Sequence, residues 1–121
     1  MHTRTVFTGG LVFDGFTTAQ ADVAVHGDRI VDVGVGLDGD EAVDCTGAFI
    51  VPGLFDCHVH VMARDFDIAR SEQEPFSLPY YEAVRKLSLL LDPGITSARD
   101  AAGADAGGKA AIAKNLHEGP G

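Results

Sequence analysis

Tryptophan is absent from this sequence, cysteine and methionine occur twice each, and aromatic residues make up only 7% of it. The two cysteines, Cys45 and Cys57, have no partner motif around either, which excludes a disulfide framework and a C-x-x-C zinc or redox site and suits a reducing compartment. Basic residues are scarce as well: nine Lys and Arg stand against eighteen Asp and Glu, a net charge of −9. A surface of that sign repels phosphate, so neither nucleic acid nor an anionic membrane is an expected partner. No apolar run approaches the roughly 20 residues of a membrane span. The N-terminus places only Val6-Phe7 before Thr8-Gly9-Gly10, too little for the apolar core of a signal peptide, and a cytoplasmic protein is expected. Length is the last shortage, since a closed eight-stranded β/α barrel takes about 250 residues and this chain of 121 cannot close one alone.

What is present is one domain's worth of apolar residues, 45% of the chain, enough for a modest core. Residues 1–52 carry two basic and eight acidic side chains, and 53–121 carry seven and ten, so the acidity is concentrated at the front. Residues 4–51 read as short strands punctuated by Gly and Asp. Val23 and Val25 face Ile30, Val31 and Val33 across Gly27-Asp28, which predicts a hairpin over 22–34. Two more short strands are expected at Val43–Cys45 and Ala48–Val51. Pro52-Gly53 breaks the pattern and marks a domain boundary.

Beyond it, Leu54–Val61 is a strand candidate and Met62–Pro79 a charged loop. A helix follows, with Ser77 as N-cap, Pro79 in its first turn, and Tyr81, Val84, Leu87 and Leu91 at helical spacing. Tyr80 and Tyr81 read as packing residues of this helix. Asp92-Pro93-Gly94 ends it, Ile95–Asp100 is a second strand candidate, and Lys109–His117 a second short helix. Strand, helix, strand, helix is the opening of a parallel α/β fold.

The chemistry-bearing stretch is Phe55-Asp56-Cys57-His58-Val59-His60-Val61. Strand alternation places Asp56, His58 and His60 on one face, and Phe55, Cys57, Val59 and Val61 on the other, where Cys57 reads as a small buried hydrophobe. Two imidazoles at i and i+2 can converge on one divalent ion. In isolation an H-x-H reads more simply as two hydrogen-bonded polar residues. Its position near the C-terminal end of the first strand of an α/β unit, where barrel enzymes place catalytic groups, favours the metal reading.

These residues sit within a wider pattern. Thr8-Gly9-Gly10-Leu11-Val12-Phe13-Asp14-Gly15 is followed by Ala21-Asp22-Val23-Ala24-Val25 and Asp28-Arg29-Ile30-Val31-Asp32-Val33-Gly34. Then come Val51-Pro52-Gly53-Leu54-Phe55-Asp56-Cys57-His58-Val59-His60 and Gly94-Ile95-Thr96-Ser97-Ala98-Arg99-Asp100. In order and spacing they resemble the amidohydrolase superfamily, in particular its imidazolonepropionase-like and prolidase-like branch, over nearly the whole chain. The resemblance implies an α/β fold with residues 1–52 as part of a small composite β-sandwich. Residues 53–121 would form the first βα units of a TIM-type (β/α)8 barrel, incomplete in this chain.

The resemblance further implies a metal-dependent hydrolase of amide, peptide or cyclic amide C–N bonds. His58 and His60 would ligate a divalent metal, zinc above all, as one or two ions. The family's bridging carboxylated Lys or acidic residue, two later His and late-strand proton-shuttling Asp have no counterpart here, so no catalytic residue is assigned. Asp56 and Asp100 could support the ligands from behind or meet a substrate, although a backbone-capping role is the simpler reading of Asp100. Arg64, with Asp65 and Arg70 in the loop leaving the first strand, could contact a substrate carboxylate; a solvated loop is the simpler reading. A small-molecule amide or dipeptide is the implied substrate. The remaining strands would come from a continuing or second chain, or the chain would self-associate. The alternative is a non-catalytic, truncated or self-associating structural or binding module.

Overall fold

The computed structural model describes residues 3–63 and 73–121, which fall into two compact units, Met1–Pro52 and Gly53–Gly121. The fold is mixed α/β.

The first unit is one sheet built on β1 (Arg4–Phe13). β2 (Thr18–His26) pairs with it antiparallel, and β3 (Arg29–Gly34) pairs with β2 antiparallel. The two-residue connection Gly27-Asp28, with Gly27 at φ 63°, makes the predicted hairpin. On its other edge β1 meets two short parallel strands in succession, β4 (Glu41–Asp44) along Thr5–Thr8 and β5 (Phe49–Ile50) along Leu11–Val12. The change of partner falls at a register shift between Phe7 and Gly10, where Gly9 has φ 72°. A side chain on Gly10 would press on Cys45 and Ile50 at about 3.1 Å, which accounts for a second glycine there.

Val6, Val23 and Ala24 form the small core. The loop after β3 closes over it: Gly39 approaches Val6 so nearly that an added Cβ would stand 2.5 Å from the Val6 methyl. Asp22 ties this loop down. Only 9% exposed, its carboxylate accepts hydrogen bonds from Gly9 N at 3.0 Å, Gly36 N at 2.8 Å and Leu37 N at 3.2 Å. Asp14 does the same in the β1–β2 turn, taking Phe16 N and Thr17 N, and Asp44 takes Thr46 N. Much of the negative charge of this unit is therefore spent on turns.

These donors favour the ionised carboxylates, so Asp14, Asp22 and Asp44 are held below their ordinary values, first by the Thr17 amide, the Gly9 amide and the Thr46 hydroxyl respectively. Depressed folded values mean that the stabilisation is present above the unfolded value of about 3.9 and fades as pH falls through the folded ones. The first unit is expected to lose thermal stability below about pH 4. Asp22→Ala, which strands three amides, should lower Tm by about 5–10 °C at pH 7 and flatten the acid limb. Thermal melts from pH 2 to 7 check this, and an unchanged acid limb in the variant would reject it.

The second unit begins with β6 (Leu54–Val59), runs through α1 (Leu78–Leu91), returns as β7 (Ile95–Asp100) parallel to β6, and continues into α2 (Ala106–Ala113). α1 lies against β7. It starts at Ser77 as expected, with Pro79 in the first turn, but the Ser77 hydroxyl makes no capping bond. Its buried residue is Ala83, whereas Tyr80 and Tyr81 are exposed, Tyr81 by 75%; Tyr80 stands edge to face against Phe76 with centroids 6.2 Å apart, and Tyr81 is not a core residue. α2 starts three residues earlier than the expected Lys109. The carboxylate of Asp105 accepts from Gly107 N at 2.7 Å, a cap strong enough to draw the Gly107-Gly108 pair into the helix. The helix ends ahead of Asn115, which takes φ 54°. The final residue lies along the free edge of β7, with Gly121 N donating to Thr96 O at 3.0 Å. No described helix is long and apolar enough to cross a membrane.

Candidate metal centre

The candidate site sits where β6 and β7 end together, and a break in their register shapes it. Asp56 pairs with Ala98 but Val59 pairs with Asp100, so Cys57 and His58 share the space opposite Arg99. Such a bulge takes backbone groups out of the ladder, and each needs a new partner. The Arg99 Nε donates to Cys57 O at 2.9 Å, and Asp56 Oδ1 accepts from His58 N at 3.1 Å. Asp56 is thus turned onto the backbone of its own strand, setting the bulge that aims His58. Sequence reasoning did not single out Arg99; its signal was its place in the Ile95–Asp100 strand, two residues before the Ala101-Ala102 loop.

The two imidazoles converge. His58 Nε2 and His60 Nε2 are 3.1 Å apart, with the rings edge to face at 71° and centroids 5.0 Å apart. Two nitrogens each about 2.0–2.1 Å from a shared tetrahedral ion would lie about 3.3 Å apart, close to this separation. The hydrogen-bond partners of His60 suit a ligating tautomer, in which its Nε2 accepts, here from His58 Nε2. His60 Nδ1 is 3.1 Å from Ala102 O, and since a carbonyl only accepts, Nδ1 carries the proton and Nε2 keeps its lone pair. The donor set therefore fits half of a metal shell. Among the described residues no group of three or more His, Cys, Asp or Glu completes it.

Asp100 takes the capping role. Its Oδ2 accepts from Val61 N at 2.8 Å and its Oδ1 from Ala102 N at 3.0 Å, while Ala101 N donates to Val59 O at 2.9 Å. The chain on both sides of His60 is fastened to residues 100–102. Arg64, Asp65 and Arg70 lie outside the described residues. Cys57 is exposed rather than buried, as is Phe55 at 75%, because α1 lies against β7 and leaves this part of β6 uncovered. A pocket of about 290 Å³ opens beside His60, lined by Val59, Val61, Lys86, Leu89 and Leu90. At its rim the Lys86 ammonium donates to Ala63 O, tying α1 to the turn after β6.

No protein-family model matches the chain. Solved structures match it almost end to end. A prolidase complexed with N-methylphosphonate-L-proline has a TM-score of 0.80 and 35% identity, covering 98% of this chain and 30% of the prolidase. A protein described as an amidohydrolase has a TM-score of 0.83 and 31% identity, again over 98% of this chain and 30% of its own. By sequence, the dihydroorotase of Lactobacillus johnsonii (strain CNCM I-12250 / La1 / NCC 533) is 39% identical over 56 residues, 46% of this chain and 13% of that enzyme. The chain spans less than a third of the solved structures it matches and 13% of that dihydroorotase, and by sequence and by structure alike the proteins it is similar to belong to the amidohydrolase superfamily.

Proposed function

We propose that this chain is the N-terminal part of a metal-dependent amidohydrolase that cleaves C–N bonds in small amides, dipeptides or cyclic amides. The observation that carries the reading is the 3.1 Å approach of the two Nε2 atoms at the ends of parallel strands, with the His60 proton pinned on the far nitrogen. On this reading residues 1–52 contribute to a composite β-sandwich and 53–121 are the first βα units of a TIM-type barrel. The free edge of β7, already met by Gly121, is where a further parallel strand would add. The prolidase and dihydroorotase likenesses support the substrate class.

His58 and His60 would hold a divalent metal such as zinc, one of the ions that neutral imidazole nitrogens bind. When bound, such an ion supplies Lewis acidity, making water ionise near neutral pH and polarising a carbonyl for attack. The chain's own residues prepare that site. Arg99 and Asp56 hold the bulge that presents His58, and the Ala102 carbonyl holds the His60 ring in the ligating tautomer.

Purification from the native source, with the mass of every co-purifying chain and the metal content measured together, tests the proposal. Zinc or a similar ion is expected in an assembly that supplies the missing strands and hydrolyses amides, aminoacyl-proline dipeptides or cyclic amides. A stoichiometric 121-residue species alone and free of metal would overturn it in favour of a self-associating structural module.

A further inference from the structure

We propose that Asp100 is the positioning residue for His60: its carboxylate holds the Ala102 carbonyl against Nδ1, so that the ring presents an unprotonated Nε2. This rests on the reading of His58 and His60 as metal ligands and names what prepares one of them.

The argument is a closed circuit of hydrogen bonds. A neutral imidazole exchanges its proton between two nitrogens, and the partner of one nitrogen decides which form prevails. His60 has a partner on each nitrogen, Ala102 O at 3.1 Å from Nδ1 and His58 Nε2 at 3.1 Å from Nε2, and of the two only the carbonyl is fixed as an acceptor. Ala102 belongs to a loop of small residues, Ala101 to Ala104, with no side chain long enough to anchor it. The anchor comes from the neighbouring carboxylate. Asp100 Oδ1 takes Ala102 N at 3.0 Å and Oδ2 takes Val61 N at 2.8 Å. One rigid group thereby spaces the backbone that follows His60 from the carbonyl that its ring must reach.

Ala101 N on Val59 O closes the circuit on the other side of His60. An asparagine here would set an NH2 donor, in place of one carboxylate oxygen, against one of the two amides. Both oxygens of Asp100 are engaged with backbone, so its contribution runs through His60 and not through contact with a substrate.

The test uses the whole protein labelled with 15N-histidine, with D100A and D100N made alongside. Long-range 1H–15N spectra of the metal-free samples report the tautomer of His60, with His117, whose Nδ1 lies 3.0 Å from Glu118 O, as an internal reference. Zinc affinity is read separately by competition with a chromogenic chelator. In the wild type, His60 is expected to hold its proton on Nδ1. In D100A the two tautomers should mix and zinc should bind about 10–100-fold more weakly, the usual loss on removing an outer-sphere partner. D100N, which keeps one oxygen, should fall between.

The inference is overturned if the wild-type ring is not held as Nδ1–H, or if the variants keep the wild-type tautomer. It is also overturned if zinc binding falls with no tautomer change. Should D100A fail to fold, D100N decides by the same criteria; failure of both to fold would assign Asp100 to the fold and overturn it. A wild type that holds the Nδ1–H tautomer yet binds no zinc would instead strike at the metal reading itself.

Discussion

Replacing His60 with alanine is expected to weaken zinc binding by more than about 100-fold, beyond the 10–100-fold typical of losing a partner that only supports a ligand. The melting temperature should stay within about 2 °C of the parent, since the substitution touches none of the mechanisms that unfold proteins. Both halves follow from the structure. His58 and His60 are exposed at the end of β6, whose pairing with β7 runs through backbone groups and whose bulge is held by Arg99 and Asp56. Neither ring packs a core. Each does supply one of the two Nε2 atoms that approach to 3.1 Å. His58→Ala should weaken binding similarly but leave the His60 ring on Ala102, whereas His60→Ala removes that bond as well. Chelator competition and thermal melts on the same samples separate binding from folding. If the chain works in an amidohydrolase as proposed, either variant should reduce the amide hydrolysis of that assembly to background. Near-parental zinc affinity in either, or retained turnover, would remove the histidine pair from the proposed site.

The approach of His58 and His60 was legible in the sequence because it follows from i, i+2 spacing at a strand end, whereas their reading as metal ligands rested on the wider resemblance. The hairpin at Gly27-Asp28 and the strand Ile95–Asp100 were legible for a similar reason: turn chemistry and β-branched runs act over a few residues. Other features were not, and each miss has a cause in long-range contact. Alternation put Asp56 on the histidine face, but the bulge opposite Arg99 interrupts the alternation and turns the carboxylate to the backbone. The parallel pairing of β4 and β5 with β1 depends on where Gly9 and Gly10 break the β1–β2 register. Asp22 looked like any acidic strand residue until the loop after β3 folded back onto it. Asp100 had two competing readings, capping and support of the ligands. Its hydrogen bonds fulfil the first, and the proposal above derives the second from it.

The same long-range logic makes Gly53 the position where one methyl group should do most damage. Gly53 is not among the residues with positive φ, so its need is for room rather than for backbone freedom. At the start of β6, Leu54 pairs with Ile95 and Phe55 with Ser97, which leaves Thr96 without a register partner and its side chain over Gly53. A Cβ built on Gly53 would stand inside the Thr96 side chain, clashing with its hydroxyl, its methyl and its own Cβ. Thr96 has little freedom to retreat, because its carbonyl also accepts from Gly121 N. Gly53→Ala should therefore destabilise the second unit by about 3 kcal/mol, the upper part of the usual range for overpacking. For a unit of this size that is a fall in Tm of about 10–20 °C. Gly108→Ala serves as the control, since nothing lies within 4 Å of its Cβ and it sits inside α2, where Ala is better than Gly by about 1 kcal/mol. Thr96→Gly in the Gly53→Ala background removes all three clashing atoms and should restore most of the loss, a coupling that a double-mutant cycle reads directly. Additive effects of the two substitutions, or a Gly53→Ala protein as stable as the parent, would show that β6 and β7 do not meet in this register. The positions of His58 and His60 relative to Ala102 would then have to be drawn again.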